Sequence, residues 1–361
     1  MTASAASFLL SEEREEFRRS LRGFFERNSS EEEVRRLMDT GLGHDPDGWR
    51  QTAAELNLQG LVIPEEHGGS GYGWNELAIV FEEMGRALVC APLFSTVALA
   101  ANALLELGDE EHLPSIAAGE TIATLALSED SGRWDEDGLT LTAEGDRLSG
   151  HKNYVIDGHC ATLILVVTRD GIFAVEGDAP GLTRTQLVTM DETRKQARLE
   201  FDGTPARPLG GDRATVERIL DRAAVALAAE QAGGAARCLE MATEYAAERV
   251  QFGRPIGSFQ AIKHKLANLL MEVESAKSAA MYAAWAADED EEELALAAPL
   301  AKAYCSEAFM HAAAENIQIH GGVGFTWEHP AHLYFKRAKT SELLLGDPAY
   351  QRELLAGRLG V

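Results

Sequence analysis

The chain has 361 residues, of which 45% are apolar and 25% charged. That is an ordinary globular balance, and the length suits two or three structural lobes. The formal net charge of −25 repels nucleic acid and anionic membrane surfaces, so neither is expected as a partner. An anionic ligand would need local Lys, Arg or helix N-termini. Four cysteines (Cys90, Cys160, Cys238, Cys305) are scattered without a CxxC pair or zinc spacing. They read as reduced structural thiols in a cytoplasmic protein, with no metal site. The N-terminus meets acidic residues after a very short apolar stretch and lacks the basic start of a secretory leader. No apolar run approaches the ~20 residues of a membrane span.

From Ser11 to Gly119 the chain reads as helices. Phe17, Leu21, Phe24 and Phe25 recur at helical spacing, and Ser30 with Glu33 forms a capping-box pattern. A glycine-rich loop, Pro64 to Gly73, precedes a further helix near Trp74. From Glu120 to Pro208 strands and turns take over. Thr121 to Leu127, Leu139 to Thr142, Ala161 to Thr168, Gly171 to Val175 and Ala197 to Phe201 are β-prone, with Asp and Gly between them. From Asp212 onward three long helical stretches follow, Asp212–Arg249, Ser258–Ala287 and Glu291–Ile317. The acidic run Asp288–Glu293 reads as a solvated corner between two of them. The expected fold class is therefore α+β, with segments 1–119 (helical), 120–208 (β) and 209–361 (helical).

Two segments carry chemistry. In Glu248 to Gln260 a helix is expected to end near Phe252-Gly253. Pro255 and Gly257 shape a turn, and Ser258 is placed to cap the next helix. In Gln318 to Pro330, Gly321, Gly322 and Gly324 let a backbone approach a ligand and expose N–H groups suited to phosphate oxygens. No βαβ context surrounds them, so this is not a dinucleotide fingerprint.

Together these segments resemble the acyl-CoA dehydrogenase family. Arg249, Phe252, Gly253 and Gln260 match its R-x-x-F-G turn and the glutamine that follows. Gln318, Gly321, Gly322, Gly324 and Phe325 match its Q-x-x-G-G-x-G-F segment. The resemblance implies an N-terminal helical domain, a central β domain and a C-terminal four-helix bundle, with FAD at a subunit interface and an acyl-CoA substrate. Arg249 would hold the FAD pyrophosphate and Phe252 would pack on it. Gln318, Gly321 and Gly322 would contact the adenosine end of a neighbour's FAD. A guanidinium forks onto phosphate oxygens, which suits the first role. In the β domain the match is altered. Ser128 keeps a hydroxyl in Ser128-Glu129-Asp130. Tyr154, in Lys152-Asn153-Tyr154-Val155-Ile156, either stacks near the flavin or is an ordinary strand aromatic.

The family's reaction takes the α-proton with a carboxylate. Its commonest base position falls here at Leu345, in Leu344-Leu345-Gly346-Asp347. The alternative position, on the first long C-terminal helix, falls at or near Ala223. Asp347 reads as a helix cap before Pro348. Glu230, inside an apolar stretch of that same helix, either pairs at a helix contact or serves catalysis. The pattern resembles bacterial steroid side-chain acyl-CoA dehydrogenases, heteromers in which one chain keeps the base and the other has lost it. The implied activity is acyl-CoA desaturation, either alone or beside a related chain in a homo- or hetero-oligomer, with an electron-transfer flavoprotein-type acceptor. A non-catalytic partner subunit and a flavin monooxygenase on the same fold are the alternatives.

Overall fold

The computed structural model describes residues 11–361. The short apolar stretch used to judge a leader lies outside the described residues. The chain forms two compact units, one of 11–34, 74–89 and 224–361, the other of 35–73 and 90–223. The N-terminal helical segment is thus divided between them.

The helices come where apolar spacing and caps place them. α1 (Glu12–Asn28) starts at Ser11, whose hydroxyl accepts from the Arg14 amide, and buries Leu21, Phe24 and Phe25. α2 (Glu31–Met38) follows Ser30, whose hydroxyl accepts from the Glu33 amide. α3 (Pro46–Leu56) and α4 (Trp74–Arg86) come next. A π-helical stretch, Phe94–Ala101, runs into α5 (Asn102–Leu107) and then α6 (Leu113–Ala117).

Eight strands follow: β1 (Ala123–Ala126), β2 (Thr142–Glu144), β3 (Arg147–Ile156), β4 (Leu163–Thr168), β5 (Gly171–Glu176), β6 (Leu182–Gln186), β7 (Gln196–Pro205) and β8 (Arg207–Gly210). They make two four-stranded sheets, ordered β1-β4-β5-β8 and β2-β3-β7-β6. Only β1 and β4 pair in parallel. Leu148, Val155, Leu199 and Phe201 of one sheet share a core with Ile164, Val166, Phe173 and Val175 of the other. Apolar runs flagged β1, β4, β5 and part of β7. They did not flag β3, whose alternation is broken by register shifts at Leu148/Gly150 and Lys152/Val155. Leu139–Thr142 is mostly not strand; only Thr142 enters β2.

The C-terminal helical domain comprises α7 (Arg213–Glu248), α8 (Gln260–Glu289), α9 (Glu291–His320), α10 (Ala331–Leu343) and α11 (Pro348–Leu359). α9 packs against α8, α10 and α11. α4 and α7 approach through glycines. A Cβ on Gly85 would lie 1.9 Å from the Glu230 carbonyl oxygen, and one on Gly233 1.8 Å from that of Glu82. The acidic corner is a double cap: Asp290 accepts from the Glu293 amide at the start of α9, and Asp288 accepts from the Trp74 and Asn75 amides at the start of α4. Among the described residues no helix is long and apolar enough to cross a membrane.

Candidate functional site

The two glycine-bearing motifs meet in the helical unit. α7 ends at Glu248, before Phe252, and the chain makes a short hairpin, β9 (Val250–Gln251) with β10 (Arg254–Pro255). Phe252 and Gly253 form its turn, both at positive φ (53° and 78°), which suits a tight two-residue hairpin. Ser258 does not cap α8. Its hydroxyl donates to the Pro255 carbonyl within a short 3-10 turn, and Phe259 stands at the N-cap.

The second motif docks beside this hairpin. Ile319 packs with Ala242 and Ala246 of α7, and Tyr245 and Ile256 join the same cluster. The Tyr245 and His320 rings stack at 4.3 Å. The His320 Nδ1–H donates to the Asn316 carbonyl, which fixes its tautomer, and burial holds its pKa below the usual value. Apolar groups face outward: Phe252 is 93% exposed, Phe325 79% and Trp327 62%. Arg249 and Gln318 are exposed, and the Arg249 guanidinium makes no ion pair among the described residues. Gln260, also exposed, bonds to His264. A Cβ on Gly321 or Gly322 would meet nothing within 4 Å. A free guanidinium, an open glycine turn and unburied aromatic rings fit a ribose-pyrophosphate ligand.

The base positions look different. Leu345 and Ala223 are both buried and apolar. Asp347 caps α11, accepting from the Tyr350 amide at 2.8 Å. Glu342 pairs with Lys339. Glu230 is 1% exposed and bonded to Arg337 Nη1 at 2.9 Å, so it is half of an ion pair buried between α7 and α10. The sequence left this pairing open; the partner stands 107 residues away.

The β unit carries the remaining candidates. The Asn153 amide donates to the Ser128 carbonyl at 2.8 Å, which brings Ser128 and Tyr154 together. The Ser128 side chain is buried, its hydroxyl turned to the Glu129 carbonyl. Tyr154 is half exposed and held at φ 57°, a conformation rare outside glycine. Beneath them Lys152 donates to Glu129 at 2.9 Å and to the Leu127 carbonyl at 3.0 Å. Glu129 also accepts from the Thr140 and Leu141 amides. Burial raises its pKa, but the bonds from Lys152, Thr140 and Leu141 outweigh this and hold it below the usual range. Burial lowers Lys152 to about 8.

Residues 11–120 match the profile of the acyl-CoA dehydrogenase N-terminal domain, and residues 210–360 that of the C-terminal domain. The chain belongs to the acyl-CoA dehydrogenase family. It is 38% identical over 342 residues to acyl-CoA dehydrogenase IpdE2 of Mycolicibacterium smegmatis, covering 95% of this chain and 97% of that one. Among solved structures, the Tcur3481-Tcur3483 steroid ACAD (G363A variant) is similar at 32% identity and TM-score 0.87, covering 98% of this chain and 99% of that one. The ChsE4-ChsE5 complex from Mycobacterium tuberculosis is similar at 29% identity and TM-score 0.89, covering 98% of each. In this member of an oxidoreductase family Arg249, Phe252, Gln318 and the Gly321-Gly322 turn lie in the open. Residue 345 lies in a sealed turn that sequence reasoning did not describe. Its signal was Lys302, a lysine set among alanines in the Ala297–Ala303 stretch of α9.

Proposed function

We propose that this chain binds FAD and takes part in α,β-desaturation of an acyl-CoA thioester as one subunit of a heteromer with a related acyl-CoA dehydrogenase chain. The observation that carries this reading is the contrast within one domain: Arg249, Phe252, Gln318, Gly321 and Gly322 lie exposed where α7 and α9 end and in the turns that follow, while Leu345 is apolar and buried. FAD, when bound, supplies the hydride acceptor. In this reading Arg249 holds its pyrophosphate and Phe252 shields it. Gln318 with the Gly321-Gly322 turn contacts the adenosine end of the cofactor on the neighbouring chain. Tyr154 lies against the ring system, and Ser128 shapes the loop beside it. Glu230 is structural, because its carboxylate is committed to Arg337 away from solvent. Proton removal from the substrate then falls to a carboxylate of the partner chain.

The names of the two solved relatives, a steroid ACAD and a two-chain complex, support a bulky acyl group and hetero-oligomeric assembly. An electron-transfer flavoprotein-type acceptor and a cytoplasmic setting belong to the same proposal. The test is to purify the chain alone and co-expressed with a related chain bearing Glu at the position aligned with Leu345, then assay bound FAD and enoyl-CoA formation. The complex is expected to hold FAD and turn over. A complex that forms but neither binds FAD nor turns over would sink the reading.

A further inference from the structure

Lys302, on α9, has no accessible surface, although its amine is ionisable. Its Nζ donates to the Ser306 hydroxyl at 3.0 Å, the Gly346 carbonyl at 3.0 Å and the Glu342 carbonyl at 3.2 Å. All three acceptors are neutral, and among the described residues no carboxylate lies within ion-pair distance of it. The ionisable groups whose charge acts on it are Glu342 and Asp347, with the Cys305 thiol on α9. From α7, Gln231 donates to Ser306 at 2.9 Å.

The carbonyls belong to a turn in an uncommon conformation. Leu345 has φ 59° and Gly346 φ 92°. A Cβ on Gly346 would lie 2.2 Å from the Tyr350 ring. Gln351 holds the Leu345 carbonyl at 2.5 Å. Three anchor points, the carbonyls of 342, 345 and 346, are therefore fixed by two buried side chains.

We propose that Lys302 is a positioning residue that works as a proton-operated latch on the 342–347 turn, holding residue 345 in place when its amine is neutral and favouring opening when it is an ammonium. A buried ammonium without an anion is penalised by desolvation, and opening the turn returns it to water. The neutral amine keeps two N–H donors, enough for the Gly346 and Glu342 carbonyls, and gives up only its bond to the Ser306 hydroxyl, which stays tied to the Lys302 carbonyl at 2.7 Å and to Gln231 at 2.9 Å. Burial lowers the Lys302 pKa to about 7, against the attraction of Glu342, Cys305 and Asp347. In an opened turn the amine regains the ordinary lysine range, so rising pH stabilises the closed form. The functional weight of position 345 rests on the heteromer reading; the latch itself does not.

Hydrogen exchange of the Leu344 and Gly346 amides, followed in the full chain from pH 6 to 9 and corrected for intrinsic rates, tests this without an activity assay. The wild type should gain protection by roughly one to two orders of magnitude across that range. Lys302→Met should be flat, and Lys302→Arg flat and weakly protected. A pH-independent wild-type profile overturns the proposal, even if neither variant folds. So does a Lys302→Met profile with the wild-type slope.

Discussion

Two glycine-bearing turns of the C-terminal domain end in opposite environments. The Gly321-Gly322 turn is exposed, with room for atoms that this chain does not supply, and aromatic rings stand unburied around it. The Leu345-Gly346 turn is closed by its own chain, its carbonyls bound by Lys302 and Gln351. The first is shaped for something outside the chain. The second supports itself, and its special residue is apolar. An unfilled surface at one turn and a filled one at the other is what a family member that keeps the cofactor side but lacks the base would show.

Substitutions can break or sharpen that contrast. The largest effect is expected at the ion pair beneath the sealed side. Arg337→Met strands the Glu230 carboxylate in the core and should cost about 3–5 kcal/mol in urea unfolding. The apolar double variant Glu230→Leu/Arg337→Leu should recover much of that. Next, Gly346→Ala forces a positive-φ alanine against Tyr350 and should lose about 1–3 kcal/mol. The matching Gly322→Ala should leave stability within about 0.5 kcal/mol yet reduce FAD retained by the complex. A stability loss at Gly322 equal to that at Gly346 would erase the contrast between the turns.

Arg249→Ala and Phe252→Ala should also leave melting unchanged, while FAD content falls by about tenfold or more, the scale of a lost charge-assisted contact. Last comes a pH effect. Lys302 has a folded pKa of about 7, below that of an exposed lysine. The unfolded chain therefore binds more protons above pH 7, and stability from this group rises with pH through that window. Lys302→Met should flatten this part of the melting profile, with its largest relative gain at pH 6.

Much of this was legible in the sequence because it depends on local chemistry. Helix extents followed apolar spacing, Ser30 and Asp347 acted as caps, and the glycine motifs carried the family resemblance. The hairpin at Phe252 escaped, since two positive-φ residues leave no apolar pattern. Ser258 had the right residue type for a cap, but its hydroxyl is taken by Pro255. The pairings of Glu230 with Arg337, and of Lys302 with the 346 carbonyl, join residues far apart in sequence. Periodicity can show such a charge on a buried face; only the packing names its partner.

The most direct measurement is enoyl-CoA formation by the lone chain saturated with FAD, using an acyl-CoA that its complex with the related chain oxidises and an artificial electron acceptor. Turnover is expected from the complex and none from the lone chain. Full turnover by the lone chain would mean that a base exists on this chain after all, and would contradict the account.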